Sequence, residues 1–380
     1  MANKNITLNV KENNTYKSIY PTSDASLIRT DTSDDLATTI NQMYDDYCIP
    51  PNEKAWKDIV TAPSGASSID SDYNIVVCID TRRNRLYYSF NGGKTFSSNA
   101  MTDIIVKISV LFKGTNNFCV GGYNVSSKKI IQFTFDTKKS ITYSLTNTQS
   151  FIDSVKKDGV IYYVILEDNK YYFYELYDDN GTVKFEKRGA TNGYTLHLPD
   201  GYSAQKVIYS DRLNYFCVIE TNSSKSSYVN FIPALRTTYD FAFQFSDTWF
   251  IQDVIDSPYG VVTLSTSVNN SDYSMLRFYY KYTQYDAAVS TSSRYVVYIP
   301  KLADITGCTV IYSNGKFIIS SNIVTAVYKM EDIVGYPEQY PMITDKVTNL
   351  GVVKDYCTVA DGVIACFDDS VKFNQTTSNK

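Results

Sequence analysis

Residues that could do chemistry are few in this sequence, and their spacing matches no common catalytic or metal-binding motif. The chain has one histidine, His197 in "YTLHLPDG", and no G-x-S-x-G stretch that would supply a serine nucleophile. The seven cysteines form no C-x-x-C pair, which disfavours a zinc or iron site, and we expect no metal and no cofactor. The "GKT" stretch (93–95) lacks the earlier glycine of a phosphate-binding loop.

A glycan hydrolase needs two carboxylates that face each other across the scissile bond. Most of the candidate acidic residues for this role lie in stretches typical of turns, such as "LEDNK" and "YDDNG". They are Glu167, Asp168, Asp178, Asp179 and Glu220. The sequence marks none of them as buried or paired. We therefore predict that the protein is not an enzyme and keep a propeller-fold glycan hydrolase as the alternative.

Composition indicates the class of protein. A net charge of -4 without a basic stripe disfavours nucleic-acid binding. The 34 tyrosines against 2 tryptophans favour an all-β fold, because Tyr suits half-buried strands. No apolar run approaches the roughly 18 residues of a membrane span, and "MANKNITLNV" is no signal peptide, so we expect neither membrane insertion nor secretion. Four cysteines in apolar runs resemble small buried hydrophobic residues: Cys78, Cys119, Cys217 and Cys366.

A strongly apolar or aromatic stretch recurs seven times after residue 55, at intervals of 43 to 56 residues. The stretches are 73–80, 116–123, 159–167, 213–220, 259–266, 315–322 and 361–368. Each is followed by a polar loop and another strand-like run. A period in the forties with about four short strands per repeat is typical of a β-propeller. We predict a propeller of about seven blades over residues 55–380, with six as the alternative.

One tight hairpin, "SFNGGKTF" (89–96), resembles the Asp-box S-x-D-x-G-x-T-W of sialidases and many other propellers. The matching residues are Ser89, Asn91, Gly93, Thr95 and Phe96, and Gly92 completes the turn. Asn91 replaces the Asp of the motif and Phe96 the Trp. The resemblance implies a structural hairpin between the third and fourth strands of a blade, away from any active site. A sialidase would also need three arginines from separate blades, whereas three of the nine arginines crowd one loop.

Loops between the second and third strands of each blade gather on one face of a propeller. Here they are rich in Asn, Ser and Thr, with some Lys and Arg, which suits hydrogen bonding to polar ligands such as saccharides. The residues that we assign to this ligand face are Arg82, Arg83, Arg85, Asn169, Asn222 and Asn269. Polar turns are common in any fold, so this assignment is a prediction to test.

Residues 1–54 differ from the rest and are predicted to form a docking arm. Leu36, Ile40 and Met43 recur on one face of a helix over 34–47, after a short strand and a turn-rich stretch. The segment 5–36 resembles the N-terminal arms of bacteriophage tail, baseplate and fibre proteins. The matching residues are Tyr20, Pro21, Ser23 and Ala25 in "YPTSDA". The helix could instead pack under the propeller as a plug.

The resemblance implies a virion structural or appendage protein. We expect it to be made in the host cytoplasm and present in multiple copies in a symmetric assembly. Its partners would be other virion proteins and a host-surface saccharide. The alternatives are the glycan hydrolase and a cytoplasmic propeller scaffold with no viral link.

Overall fold

The computed structural model divides the chain into two compact units, Met1–Asn52 and Glu53–Lys380. It describes residues 8–12, 15–19, 56–189, 201–224, 227–233, 243–247, 249–258, 260–267, 273–279, 294–300, 308–321, 324–329, 343–348 and 352–376. In the first unit, strands β1 (Leu8–Glu12) and β2 (Thr15–Ile19) form an antiparallel hairpin. The predicted helix over 34–47 and the arm residues Tyr20, Pro21, Leu36, Ile40 and Met43 lie outside the described residues.

The second unit is built of antiparallel sheets, and the all-β propeller class predicted from the sequence is confirmed. Its described strands form seven four-stranded sheets, which we call blades 1 to 7 in chain order. No helix occurs in the described part of the chain, so none there could cross a membrane.

The strands of blades 1 to 4 have the following bounds. Blade 1 contains β4 (Ser68–Asp72), β5 (Ile75–Asp80), β6 (Arg85–Ser89) and β7 (Ser97–Ala100). Blade 2 contains β8 (Val106–Gly114), β9 (Asn117–Asn124), β10 (Lys129–Thr134) and β11 (Lys139–Ser144). Blade 3 contains β12 (Gln149–Lys157), β13 (Val160–Glu167), β14 (Lys170–Asp179) and β15 (Thr182–Arg188). Blade 4 contains β16 (Tyr202–Ser210), β17 (Tyr215–Asn222), β18 (Ser227–Pro233) and β19 (Phe243–Asp247).

Blades 5 to 7 follow the same plan, except that blade 7 takes one strand from early in the unit. Blade 5 contains β20 (Trp249–Ser257), β21 (Gly260–Ser267), β22 (Tyr273–Tyr279) and β23 (Arg294–Pro300). Blade 6 contains β24 (Thr309–Ser313), β25 (Lys316–Ser320), β26 (Val324–Lys329) and β27 (Ile343–Thr348). Blade 7 contains β28 (Asp355–Val359), β29 (Gly362–Cys366), β30 (Val371–Gln375) and β3 (Trp56–Asp58).

The recurring apolar stretches form the second strand of each blade. Every residue of "IVVCID" in β5 and of "GVIAC" in β29 is buried, because neighbouring blades cover both faces of the sheet. The four cysteines of these stretches are buried free thiols, as predicted. Between blades 3 and 4, for example, Phe173 stacks on Phe216 at a centroid distance of 4.1 Å. Apolar packing between successive blades is therefore what holds the ring together.

Blade 7 closes the ring by joining the two ends of the propeller. The short strand Trp56–Asp58 pairs with β30, with Trp56 opposite Asn374. Side chains reinforce the pairing: Lys372 Nζ lies 2.7 Å from Asp58 Oδ1, and Trp56 packs edge-on against Phe367. The pairing links residues about 320 positions apart in the chain.

Candidate functional site

A channel with a cavity of about 740 Å³ is lined by the first strands of all seven blades. Its wall carries acidic and basic side chains among Ser, Thr and Tyr. Carboxylates in such a channel are the groups that a hydrolase would need, so their hydrogen-bond partners decide what they can do.

Four aspartates of the wall bond to the backbone of the next blade. In each, a carboxylate oxygen accepts a hydrogen bond from an N–H group of the neighbouring first strand. The bonds run from Val110 N to Asp70 Oδ2 (2.7 Å), from Val207 N to Asp153 Oδ2 (3.1 Å), from Val310 N to Asp253 Oδ2 (3.0 Å) and from Ile69 N to Asp355 Oδ2 (2.9 Å). These interblade carboxylate bonds link blades 1 to 2, 3 to 4, 5 to 6 and 7 to 1.

Bulges in the first strands direct two of these carboxylates. The pairing register shifts just before Asp153 in β12 and just before Asp253 in β20. The equivalent shift in β16 precedes Lys206. A bulge bends the strand and turns a side chain out of its regular direction, here along the wall toward the next blade.

Lysines neutralise part of this acidic wall. Lys206 Nζ lies 2.7 Å from Asp253 Oδ1, and Lys156 Nζ lies 2.8 Å from Asp70 Oδ2. Lys107 donates to backbone carbonyl groups of blades 3 and 4. The described residues contain no group of three or more His, Cys, Asp or Glu arranged to hold a metal ion.

Burial shifts the pKa of several wall groups. It raises the pKa of Asp355 to about 6, although the N–H of Ile69 and the charge of Lys206 act in the opposite direction. Burial also raises the pKa of Asp153, against the lowering effect of Lys107. For Lys206, burial alone would lower the pKa, but the carboxylate of Asp253 and other neighbouring groups outweigh it and the pKa is raised.

This acidic wall is not among the carboxylates predicted from the sequence, which were chosen mostly from turn-like stretches. A signal was present: an Asp follows closely after an aliphatic residue in "SID" (68–70), "FID" (151–153) and "FIQD" (250–253). One residue assigned among the turn-like acids is also buried. Glu220 lies in β17, and Tyr171 OH of blade 3 donates to its Oε1 over 2.8 Å. Burial raises the pKa of Glu220 to about 7, although the Tyr171 hydrogen bond lowers it.

The hairpin of residues 89–96 connects the third and fourth strands of blade 1 and is held by its own side chains. Ser89 Oγ accepts a hydrogen bond from Gly93 N (2.9 Å), and Asn91 Oδ1 accepts one from Thr95 N (3.0 Å). Gly92 and Gly93 have φ values of 68° and 82°. Phe96 is buried in the cluster that joins blade 1 to blade 7. These contacts are structural and leave no side chain of the hairpin directed at the channel.

The three arginines of the predicted ligand face contact their own chain. Arg82 Nη2 donates to Asp368 O of blade 7 over 3.3 Å. A side chain at position 65 would disturb this hydrogen bond, because a Cβ added to Gly65 would lie 1.9 Å from Arg82 Nη2. Arg85 Nη1 donates to Ser98 Oγ (2.9 Å). The Arg83 side chain is 56% exposed and its Nε lies 3.9 Å from Asp80 Oδ2.

The two described asparagines of this set lie on different blades. Asn169 is exposed in the turn between β13 and β14, in a left-handed conformation with φ of 58°. Asn222 ends β17 of blade 4, and Asn269 lies outside the described residues. The fold thus places the described residues of this set at the end of a second strand, at the start of a third strand or in the turn between them, but on several blades.

The opposite face carries the turns between first and second strands. Two aromatic side chains stand out there, Tyr73 with 77% and Phe112 with 42% of its surface exposed. Their ring centroids are 5.2 Å apart. The sequence analysis did not single out either residue, because no periodic pattern distinguishes an exposed aromatic residue from a core one.

Comparisons with known proteins support the fold alone. No family model matches the chain, and no curated protein matches it significantly in sequence. Hydrazine synthase of Kuenenia stuttgartiensis matches with a TM-score of 0.57 and 12% identity, over 83% of this chain and 97% of that one. YCF48 from Cyanidioschyzon merolae matches with a TM-score of 0.55 and 13% identity, over 84% and 99%. YCF48 bound to D1 peptide matches with a TM-score of 0.54 and 9% identity, over 87% and 99%.

Proposed function

We propose that this chain is a binding scaffold of a phage virion, a structural or appendage protein that presents its propeller to a partner. Residues 1–54 would dock it onto other virion proteins, and multiple copies would form a symmetric assembly. The protein would be made in the host cytoplasm, and a host-surface saccharide would be its external ligand.

The binding role is supported by the hydrogen bonds that the channel carboxylates already make within the protein. Asp70, Asp153, Asp253 and Asp355 each accept a backbone hydrogen bond from the next blade. A carboxylate committed in this way stabilises the ring and is less available for proton transfer to a substrate. A propeller of similar fold is solved bound to a peptide, which supports a scaffold that holds partners.

Cross-linking of purified phage particles that contain this chain tests the docking role. The amines of Lys4, Lys11 and Lys17 lie in the arm and should cross-link to another virion protein. Arm cross-links confined to its own chain would contradict the proposal.

A matched pair of variants tests the arm directly. The double change Leu36→Asp and Ile40→Asp places charges on the predicted apolar face of the arm and should abolish incorporation into particles. Val125→Asp adds a charge at an exposed propeller residue and should leave incorporation unchanged.

A propeller-fold glycan hydrolase remains the second candidate, because burial raises the pKa of Asp153 and Asp355 as a general acid would require. This candidate predicts new reducing ends when the chain is incubated with bacterial surface polysaccharide. Asp355→Asn should then abolish their release. No release from the unmodified chain would exclude this activity on the polysaccharides assayed.

A further inference from the structure

Tyr73 and Phe112 form an exposed aromatic pair on the face that carries the turns between first and second strands. Among the residues whose burial the structure describes, no other aromatic side chain is exposed to this extent. The two rings are adjacent, with an interplanar angle of 53°. Phe112 lies in β8 and Tyr73 in the turn that follows β4, and Ser71, two residues before Tyr73, lines the channel itself.

The backbone of Tyr73 is in a conformation that a bulky residue rarely adopts. Its φ is 53°, in the left-handed region. The corresponding turns of blades 3 and 6 place Asp158 (φ 50°) and Asn314 (φ 48°) at this position. Asp and Asn tolerate the left-handed region, whereas a tyrosine there costs about 1 kcal/mol or more. Tyr73 is thus neither suited to the turn nor buried in the core, and its ring contacts Phe112, so the exposed pair is a candidate surface for an external ligand.

Two hydrogen bonds tie the strand that precedes Tyr73 to the strand that carries Phe112, which fixes the backbone of the pair before any ligand arrives. Phe112 N donates to Asp72 Oδ2 over 2.7 Å, and Val110 N donates to Asp70 Oδ2 over the same distance. These bonds fix β8 of blade 2 against β4 of blade 1. A preorganised site loses little conformational entropy on binding.

The surroundings of the pair suit a saccharide better than a protein. Two rings provide far less area than the roughly 800 Å² per partner that a stable protein–protein interface buries. Nearby groups are polar: Asn74 and Thr358 are exposed, and Ser71 Oγ donates to Thr358 O. A sugar ring presents a C–H face that stacks on an aromatic ring and hydroxyl groups that need polar partners at its edge.

We propose that Tyr73 and Phe112 form the stacking platform of a saccharide site at the channel mouth, on the face opposite Arg82, Arg83 and Arg85. The inference rests on the proposed binding role and identifies where its saccharide ligand stacks.

Binding by the full chain to an array of bacterial surface polysaccharides and defined oligosaccharides tests the platform. Calorimetry with the best-bound defined oligosaccharide then compares variants. Tyr73→Asn removes the ring and suits the left-handed backbone, as Asn314 does in blade 6. We expect it to weaken binding at least tenfold while the midpoint of thermal unfolding stays the same or rises. Tyr73→Trp should retain binding, and Arg83→Ala on the opposite face should not change it.

Two results would overturn the inference. One is the absence of binding to every saccharide of the array. The other is an affinity that Tyr73→Asn leaves unchanged and Arg83→Ala lowers, which would assign the ligand to the opposite face. If arm lysines still cross-link to virion proteins in either case, the docking role stands and only the saccharide platform fails.

Discussion

Removing the buried carboxyl group of Glu220 should change how the stability of the protein depends on pH. Glu220 is completely buried between blades 3 and 4, and burial raises its pKa from 4.5 to about 7. Between these values the folded protein holds a proton that the unfolded chain releases. Stability is therefore lost as pH rises from about 4.5 to 7, and above pH 7 the loss is complete. Each pKa unit corresponds to about 1.4 kcal/mol, so Glu220 accounts for about 3 kcal/mol.

Urea unfolding of the unmodified chain and of Glu220→Gln between pH 5 and 8 measures this contribution. Glutamine keeps an acceptor for Tyr171 OH but binds no proton. The difference between the two free energies of unfolding should change by up to about 3 kcal/mol across the range, in favour of the variant at high pH. Asp355 has a raised pKa too, but it is present in both proteins and cancels in the difference.

Asp168→Asn removes an exposed turn carboxyl and is the matched control, because its difference from the unmodified chain should stay nearly constant with pH. A Glu220→Gln difference that stays flat to within about 0.5 kcal/mol would refute the reasoning. Burial would then not penalise the charged form of Glu220.

Three further predictions concern the hairpin, the channel wall and the thiols. Gly93→Ala should lower the free energy of unfolding by about 2–4 kcal/mol, since its φ is positive and an added Cβ would lie 2.0 Å from Ile364 Cδ1. Gly92→Ala, with no atom within 4 Å, should cost only about 1 kcal/mol, and equal losses in chemical unfolding would contradict the packing argument. Asp253→Asn removes the carboxylate beside Lys206 and should cost about 3 kcal/mol or more in urea unfolding, whereas adding Lys206→Met should recover part of the loss. The six described cysteine thiols are buried and should react with a disulfide reagent at pH 8 only after unfolding, so fast labelling of the folded chain at any of them would show that the site opens.

The sequence predicted the architecture because the propeller repeats a simple pattern. Second strands such as "IVVCID" are covered on both faces and therefore appear as unbroken apolar runs at a regular interval. The hairpin of residues 89–96 was also visible, since Gly-Gly and Asn have specific conformational uses in turns. The conformation of such a hairpin depends on adjacent residues, so it can be predicted without knowing how the propeller closes.

The functional surfaces could not be predicted in the same way. The carboxylate bonds of Asp153 and Asp253 join residues of different blades and depend on strand bulges, which have no reliable sequence pattern. Tyr73 appears in the sequence as one tyrosine of 34, and only its left-handed backbone and exposure distinguish it. Arg82 looked available for a ligand because its contact with Asp368 is made across the closure of the ring.

That closure also determines when the propeller can become complete during synthesis. The outer strand of blade 7 emerges from the ribosome before any blade is made, and its partner β30 emerges only after all the others. Until then Trp56–Asp58 has no strand to pair with, and an incomplete chain exposes an open sheet edge, which favours aggregation. Pairing over so long a separation also slows folding, because chain entropy is lost before the contacts form. A circular permutant that begins at residue 61 and carries 56–60 after 376 would make blade 7 from one continuous piece.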